Sequence, residues 1–336
     1  MSIDNTRCEE ETMGAITDVK GIRVGHASNR DAVTGCTVIL CEDGAVGGVE
    51  IRGSATGTRQ IDSLYPVHVV RQIHAVLLTG GSSFGLDAAG GVVRYLEERG
   101  KGFDVGVTRV PIVPAAVIFD LSIGDHRVRP DAAMGYEACL HASAEAVEEG
   151  SVGVGTGATV GKLFGQERAC KGGVGTASVE GKGGVVVGAL AAVNALGDVV
   201  DERTGATIAG LRDEKGTRLV STVELLRQGV WKERFGGSYR GNTTIGVVAT
   251  NVALTREDAI KVAQMTHNGL ARVISPVNTT FDGDIVFALS LGQLEGDVNH
   301  VGALAEAAVM EAVKRGVMKA DGFGIVPAYG DLTKGD

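Results

Sequence analysis

The sequence predicts a layered α/β protein in which helices cover sheet. Short runs rich in Val and Ile have the length and β-branching of buried strands, longer segments have the length of helices, and the two kinds alternate along the whole chain. In order, CTVILC (36–41) and HAVLLTG (74–80) read as strands, and LDAAGGVVRYLEERG (86–100) reads as a helix. PIVPAAVIF (111–119) reads as a strand and DAAMGYEACLHASAEAVEEG (131–150) as a helix, followed by the strand GGVVVGALAAVN (183–194). Residues 197–240 are charged, turn-rich and weakly patterned, which predicts a mobile loop; it holds the single tryptophan, Trp231, and leads over Gly236, Gly237 and Gly241 into the next strand, TIGVVATN (244–251). TREDAIKVAQMTHNGLARVI (255–274) carries apolar residues at helical spacing behind a capping Thr255. The strand DIVFALSL (284–291) and the helix NHVGALAEAAVMEAVKRG (299–316) complete the pattern.

With 336 residues the chain can bury one large core. Its formal net charge is -9, with 32 basic against 41 acidic residues spread along its length. No basic stripe is available to neutralise phosphates, so nucleic acid is not an expected partner. The opening MSIDNTRCEEETMG has acidic residues and no apolar core of a signal, and no later apolar stretch reaches about 18 residues without Gly or charge. A soluble, cytoplasmic protein with no membrane partner is expected. The five cysteines (Cys8, Cys36, Cys41, Cys139, Cys170) contain no C-x-x-C pair, which predicts reduced packing residues. Glycine, at 51 residues, is roughly twice its average usage of about 7%. The 44% hydrophobic content excludes a disordered chain, and the absence of a G-X-Y period excludes collagen.

The stretch GNTTIGVVATN (241–251) sets two threonines against a β-branched run. A threonine hydroxyl needs a base to take its proton, and a threonine at a chain start can use its own α-amine, whose reference pKa is about 7.7–8.0. An internal threonine must first be freed, by attack of its hydroxyl on the preceding carbonyl. That chemistry asks for flexibility before the threonine and a rigid strand after it, which residues 236–251 offer. By themselves the two threonines more often reflect only the β-propensity of a strand mouth. Asn242-Thr243-Thr244 and Asn278-Thr279-Thr280 also match the N-x-[ST] glycan acceptor, a reading that lacks its secretory signal.

Other segments carry candidate chemistry. In VNTTFDGDIVFAL (277–289), Asp282 and Asp284 stand two apart at a strand entry, so both carboxylates project to one side and raise each other's pKa. The same D-G-D fits an ordinary turn or a weak metal site, but no His or further carboxylate lies at ligand spacing, and no metal or cofactor is expected. Lys162 stands among glycines in GATVGKLFG (157–165), and Asn194 ends an apolar strand, where its amide can donate to an oxyanion. Gly81-Ser82-Ser83-Phe84-Gly85 fits G-x-S-x-G between strand and helix, which makes Ser83 a rival nucleophile with Asp201 and His267 as partners. The same segment, with Gly80, also reads as a ligand cradle at a helix start in a non-catalytic binding protein.

Taken as a set, GNTTIGVVATN, the D-G-D some 35 residues later, TGGSSFGLDAAGGV (79–92), PAAVIFD, the G-x-x-x-G-K stretch and Asn194 resemble the DmpA-type aminopeptidase (L-aminopeptidase/D-esterase) family, and most its nylon-oligomer hydrolase branch. The likeness spans nearly the whole chain. It implies an αββα-type sandwich and an N-terminal-nucleophile amide hydrolase cut between Asn242 and Thr243 into an α chain, 1–242, and a β chain, 243–336. It implies Thr243 as nucleophile, Lys162 and Asn194 as supports of the nucleophile and oxyanion, and Asp282 and Asp284 as the nearby acidic pair. Gly80, Gly81, Ser82 and Ser83 would line the pocket, and αβ units would assemble as a tetramer. Thr at 243, and Asp where serine-type members carry Ser and Glu, put a narrow preference for peptide N-termini in doubt.

Overall fold

Strands that are apolar on both faces must be covered on both, and this chain covers them with helix on one side and a second sheet layer on the other. The computed structural model describes residues 14–230 and 241–332. In chain order, the elements that position the site are β1 (Arg23–Asn29), β2 (Thr34–Ile51), β3 (Gln72–Thr79), α1 (Ala89–Glu98), β4 (Ala115–Val117), α2 (Ala132–Leu140), β5 (Gly173–Glu180), β6 (Val186–Asn194), β7 (Thr243–Val252), α3 (Arg256–Val273), β8 (Ile285–Leu294) and α4 (Val298–Met318).

The strands run in the order β5-β6-β7-β8-β2-β3-β4, with β1 also on β2 and Thr58–Arg59 at the far edge. They form one hydrogen-bonded sheet that folds over at the 18-residue β2 into two facing layers. The first half of β2 pairs with β1 and β3, its second half with β8, and its register against β3 shifts between Leu40 and Ala45. Side-chain alternation then sorts the residues into three apolar layers. Val76 and Leu78 of β3 meet Ile245, Val247, Ala249 and Phe287 between the two sheet layers. Ala75 and Leu77 face α1 and α2 instead, and Val248, Val286 and Ala288 face α3 and α4. The result is an αββα sandwich. Each fully buried side chain of the Phe287 or Leu78 kind contributes about 1.5–3 kcal/mol.

The expected strands at 36–41, 183–194, 244–251 and 284–291 are found, and the helices at 255–274 and 299–316 match α3 and α4 within two residues. Thr255 caps α3 by accepting from the Asp258 N–H. Three expectations are corrected. The strand at 111–119 is reduced to Ala115–Val117, because Pro111 and Pro114 interrupt the ladder. The helix expected over 131–150 stops at Leu140, where the chain turns to exchange hydrogen bonds between Ser143 and Val24 (2.9 and 3.0 Å). Residues 197–230 are not a plain loop: they contain strands Asp198–Val200 and Thr207–Ala209 and a helix, Thr222–Arg227. Trp231, Gly236 and Gly237 lie outside the described residues.

Cys36, Cys41, Cys139 and Cys170 are buried free thiols, and burial pushes that of Cys41 up to about 12. Cys8 lies outside the described residues. Among the described residues, no helix is long and apolar enough to cross a membrane.

Candidate active site

The end of β6, the start of β7 and the entry to β8 meet at one end of a sheet. Antiparallel register sets Asn194 opposite Thr243, and the parallel pairing of β7 with β8 continues back to an Asn242–Asp282 bridge. Residues far apart in sequence are thereby level with one another. Lys162 arrives from the 157–165 turn, whose backbone is fixed by hydrogen bonds from the Gly161 and Lys162 N–H groups to the carbonyls of Gly197 and Leu196, both 3.0 Å. Gly161 has φ +72° and its position abuts the Leu211 nitrogen, so only glycine fits there.

The peptide between Asn242 and Thr243 is held from two sides. The Asn242 carbonyl oxygen accepts a hydrogen bond from the Gly283 N–H at 2.8 Å and another from the Thr243 hydroxyl. Thr243 is 4% exposed. Gly283 sits so close that a Cβ there would lie 2.8 Å from Thr243 Oγ1 and 2.7 Å from the Ala55 oxygen. Sequence reasoning missed this N–H, although the glycine between the two aspartates was a visible signal for close backbone approach.

Lys162 and Asn194 are brought together. Lys162 Nζ donates to Asn194 Oδ1 (2.7 Å) and to the Asn194 carbonyl (2.8 Å), and reaches the Gly241 carbonyl at 3.5 Å. Asn194 Oδ1 also accepts from the Thr159 N–H, while Nδ2 donates to the Phe119 carbonyl at 3.2 Å. The amide expected to face an oxyanion is thus engaged with Phe119, and the donor against the Asn242 carbonyl is the backbone of Gly283.

Asp282 and Asp284 are both buried. Asp282 accepts from the Leu196 N–H (3.1 Å) and from the N–H and hydroxyl of Thr279 (3.1 and 2.5 Å). Asp284 accepts from the N–H groups of Thr244 (2.6 Å) and Asn278 (2.8 Å). Burial raises both carboxyls above the usual range; for Asp284 the charge of Asp282 adds to the rise, and the Lys162 charge opposes it in both. The pair therefore braces the backbone on either side of Thr243, at 196, 244 and 278–279.

A recess of about 90 Å³ reaches Thr243, lined by Ala55, Thr56, Gly57, Ser82, Ser83, Val117, Phe119, Gly241 and Thr243. Ser82 and Ser83 form part of its wall, whereas Gly80 and Gly81, expected there too, do not line it, and the Gly81 N–H is bonded to Asp120 at 2.7 Å. The elbow reading of Ser83 lacks its partners. His267 is buried in α3 with Nε2 3.2 Å from the Glu50 carbonyl, and Asp201 lies in a turn bonded to Arg203 and Thr204. The sheet is mixed, with parallel pairing between β7 and β8 and between β3 and β4 and antiparallel pairing at its other junctions. A nucleophile elbow of the α/β-hydrolase kind belongs to a different sheet.

The chain is similar over nearly its whole length to proteins of one peptidase family. A model of peptidase family S58 matches residues 14–325. An uncharacterized aminopeptidase of Mycobacterium tuberculosis is 43% identical, the alignment covering 96% of this chain and 99% of the relative. A 6-aminohexanoate-oligomer endohydrolase of Kocuria sp. is 31% identical over 88% of this chain and 84% of its own length. Among solved structures, a Burkholderia beta-aminopeptidase superposes with a TM-score of 0.67 at 23% identity, covering 98% of this chain and 95% of the other. The L-aminopeptidase D-Ala-esterase/amidase of Ochrobactrum anthropi, a variant of the Ntn hydrolase fold, gives a TM-score of 0.71 at 20% identity, covering 94% and 89%. These two structures share its fold.

Proposed function

The chain belongs to peptidase family S58 and is an amide-bond hydrolase, and on that premise we propose that it matures by cutting its own backbone between Asn242 and Thr243, then hydrolyses amides through an acyl-Thr243 intermediate. The observation that carries the reading is the doubly held Asn242 carbonyl, with the Thr243 hydroxyl against it and the Gly283 N–H on its oxygen.

In maturation, Thr243 Oγ attacks the Asn242 carbonyl carbon and the Gly283 N–H stabilises the oxyanion. Collapse expels the Thr243 nitrogen and leaves an ester, which water hydrolyses to an Asn242 carboxylate and a free Thr243 amine. One well-placed oxyanion donor is worth about 2.7–4 kcal/mol. In turnover, Thr243 Oγ attacks the substrate carbonyl while the new α-amine takes the proton and passes it to the departing amine as the C–N bond breaks, and water then hydrolyses the acyl-Thr243 ester; with a reference pKa of about 7.7–8.0, part of the α-amine is unprotonated near neutral pH. Lys162, bonded to Asn194 and near the Gly241 carbonyl, supplies positive charge beside the nucleophile. Asp282 and Asp284 hold the backbone around it. No cofactor enters the scheme. The same reading includes a cytoplasmic protein whose αβ units assemble as a homo-oligomer.

The test uses a p-nitroanilide and three proteins. Thr243→Ala is expected to remain one chain and lose turnover, and Thr243→Ser to regain both cleavage and activity. Asn194→Ala, which removes the Oδ1 partner of Lys162 and not an oxyanion donor, is expected to mature but turn over more slowly. Normal hydrolysis by Thr243→Ala would overturn the mechanism.

A further inference from the structure

Asp120 closes the PAAVIFD segment and has no part in the scheme above, yet its carboxylate is buried, at 3% exposure. Burial raises it above the usual range, and a buried carboxyl is costly unless its oxygens are used. Both are used. Oδ2 accepts from the Thr34 hydroxyl at 2.7 Å, which anchors the side chain to β2, and Oδ1 accepts from the Gly81 N–H at 2.7 Å. Two glycines leave the room it needs: a Cβ at Gly80 would collide with Asp120 Oδ2, and one at Gly157 with Asp120 Cβ.

The bond to Gly81 falls on a turn that the backbone does not favour. Gly81 has φ +79° and Ser82 φ +53°, two successive left-handed residues of which only the first is glycine. Such a conformation persists where its surroundings hold it, and it concentrates at functional sites. Here it is held by the Asp120 carboxylate on Gly81 and by the Ile118 carbonyl, which accepts from the Ser82 N–H at 3.0 Å. The turn brings Ser82 and Ser83 beside Thr243. A second contact starts from the same aspartate. The peptide joining it to Phe119 has its carbonyl on Asn194 Nδ2 at 3.2 Å, and Asn194 Oδ1 receives Lys162. One carboxylate thus stands behind both the 81–83 turn and the Asn194–Lys162 pair. The scissile peptide is held separately, by the Gly283 N–H and the Thr243 hydroxyl.

We propose that Asp120 is a positioning residue for turnover and not for maturation: by accepting the Gly81 N–H it fixes Ser82 and Ser83 beside the nucleophile, where substrate is presented. The inference rests on the Thr243 reading and goes beyond it, since self-cleavage brings its own carbonyl and needs no substrate site.

The experiment follows self-cleavage by mass and hydrolysis of the p-nitroanilide that the wild type turns over. Asp120→Ala is expected to cleave itself at the wild-type rate and, once cleaved, to show kcat/KM lower by about tenfold or more, equivalent to about 1.4 kcal/mol. Asp120→Asn, whose Oδ1 still accepts from Gly81 and whose amide can donate to the Thr34 oxygen, should restore kcat/KM to within about threefold of the wild type. Thr34→Val removes the partner of the other carboxylate oxygen; it should lower the melting temperature and leave kcat/KM within about threefold. If Asp120→Ala does not fold, Gly81→Ala, which forces a Cβ onto φ +79°, strains the same turn and should show the same loss of turnover with cleavage intact. Wild-type kcat/KM in the folded, cleaved variant, equal losses of cleavage and turnover, or an Asp120→Asn as slow as Asp120→Ala would overturn the proposal while leaving Thr243 as nucleophile. A tenfold loss in Thr34→Val would do the same, by reducing the effect to general stability. Hydrolysis undiminished in Thr243→Ala would overturn the underlying reading and the proposal with it.

Discussion

The two adjacent threonines are chemically alike and placed for different ends. Thr243 turns its hydroxyl onto the Asn242 carbonyl, whereas the Thr244 hydroxyl is buried with no hydrogen-bond partner among the described residues. Thr244 keeps the β-branched shape that suits the strand, and its oxygen carries an unreturned desolvation cost of about 1–3 kcal/mol. Thr244→Val should accordingly melt at the same temperature as the wild type or higher and still self-cleave, while Thr243→Val should not cleave; a melting scan and a denaturing gel decide both. Gly283 makes a second test. A methyl group there would press on Thr243 Oγ1 and the Ala55 carbonyl, so Gly283→Ala should slow maturation by about tenfold or more in a protein that still folds. Cleavage at the wild-type rate would show that the Gly283 backbone does not set the geometry of the scissile peptide.

The elements outside the site hold the strands that carry it, and changes in them should separate stability from chemistry. Thr255 and Asp258 cap α3 reciprocally on the outer face of the sheet. Thr255→Ala should cost about 1 kcal/mol in denaturant unfolding and leave the rate of self-cleavage unchanged. Loss of cleavage in the folded variant would mean that α3 controls the site directly. The elements most legible in the sequence were those whose pattern is self-contained: β7 and β8 as unbroken apolar runs, α3 and α4 as long periodic helices with caps. Those missed were β1 (RVGHASN) and β5 (GVGTASVE), whose polar and glycine positions face close neighbours such as Ala138 and Gly316 rather than an apolar core. Their strand state is fixed by pairing with β2 and β6, a tertiary fact that local propensity does not contain. Residues 141–150, helix-like in composition, were likewise claimed by the backbone of Val24.

On the scale of the whole molecule, the sandwich buries titratable groups whose protonation is linked to folding. His26, in β1 with Nδ1 2.9 Å from Thr37 Oγ1, is lowered to about 4, mainly by burial. Because its folded pKa is below the unfolded value of 6.5, the neutral form is the folded one. The associated stability is complete above pH 6.5 and is lost as pH falls towards 4. Wild type should therefore lose about 2 kcal/mol relative to His26→Gln between pH 7 and 5, as the 1.36 kcal/mol per pKa unit implies. Parallel stability curves for the two proteins would show that His26 is not the group responsible. The candidate site was legible as a list of residues that the fold brings together, since Thr243, Lys162, Asn194, Asp282 and Asp284 stand in recognisable segments. What the one-dimensional pattern could not supply was their mutual geometry. The Asn194 amide turned to Phe119, the carboxylates spent on backbone N–H groups, and the Gly283 donor all depend on the register that brings three strand ends level.

The central claim is a covalent one, and the mass and N-terminal sequence of purified, active protein test it most directly. The account predicts two chains, the smaller being the 94 residues from Thr243 to Asp336, about 9.6 kDa of the 34.5 kDa total and beginning Thr-Thr-Ile-Gly. A single uncut chain of 336 residues in protein that turns over substrate, or a fragment beginning at Thr279, would contradict it.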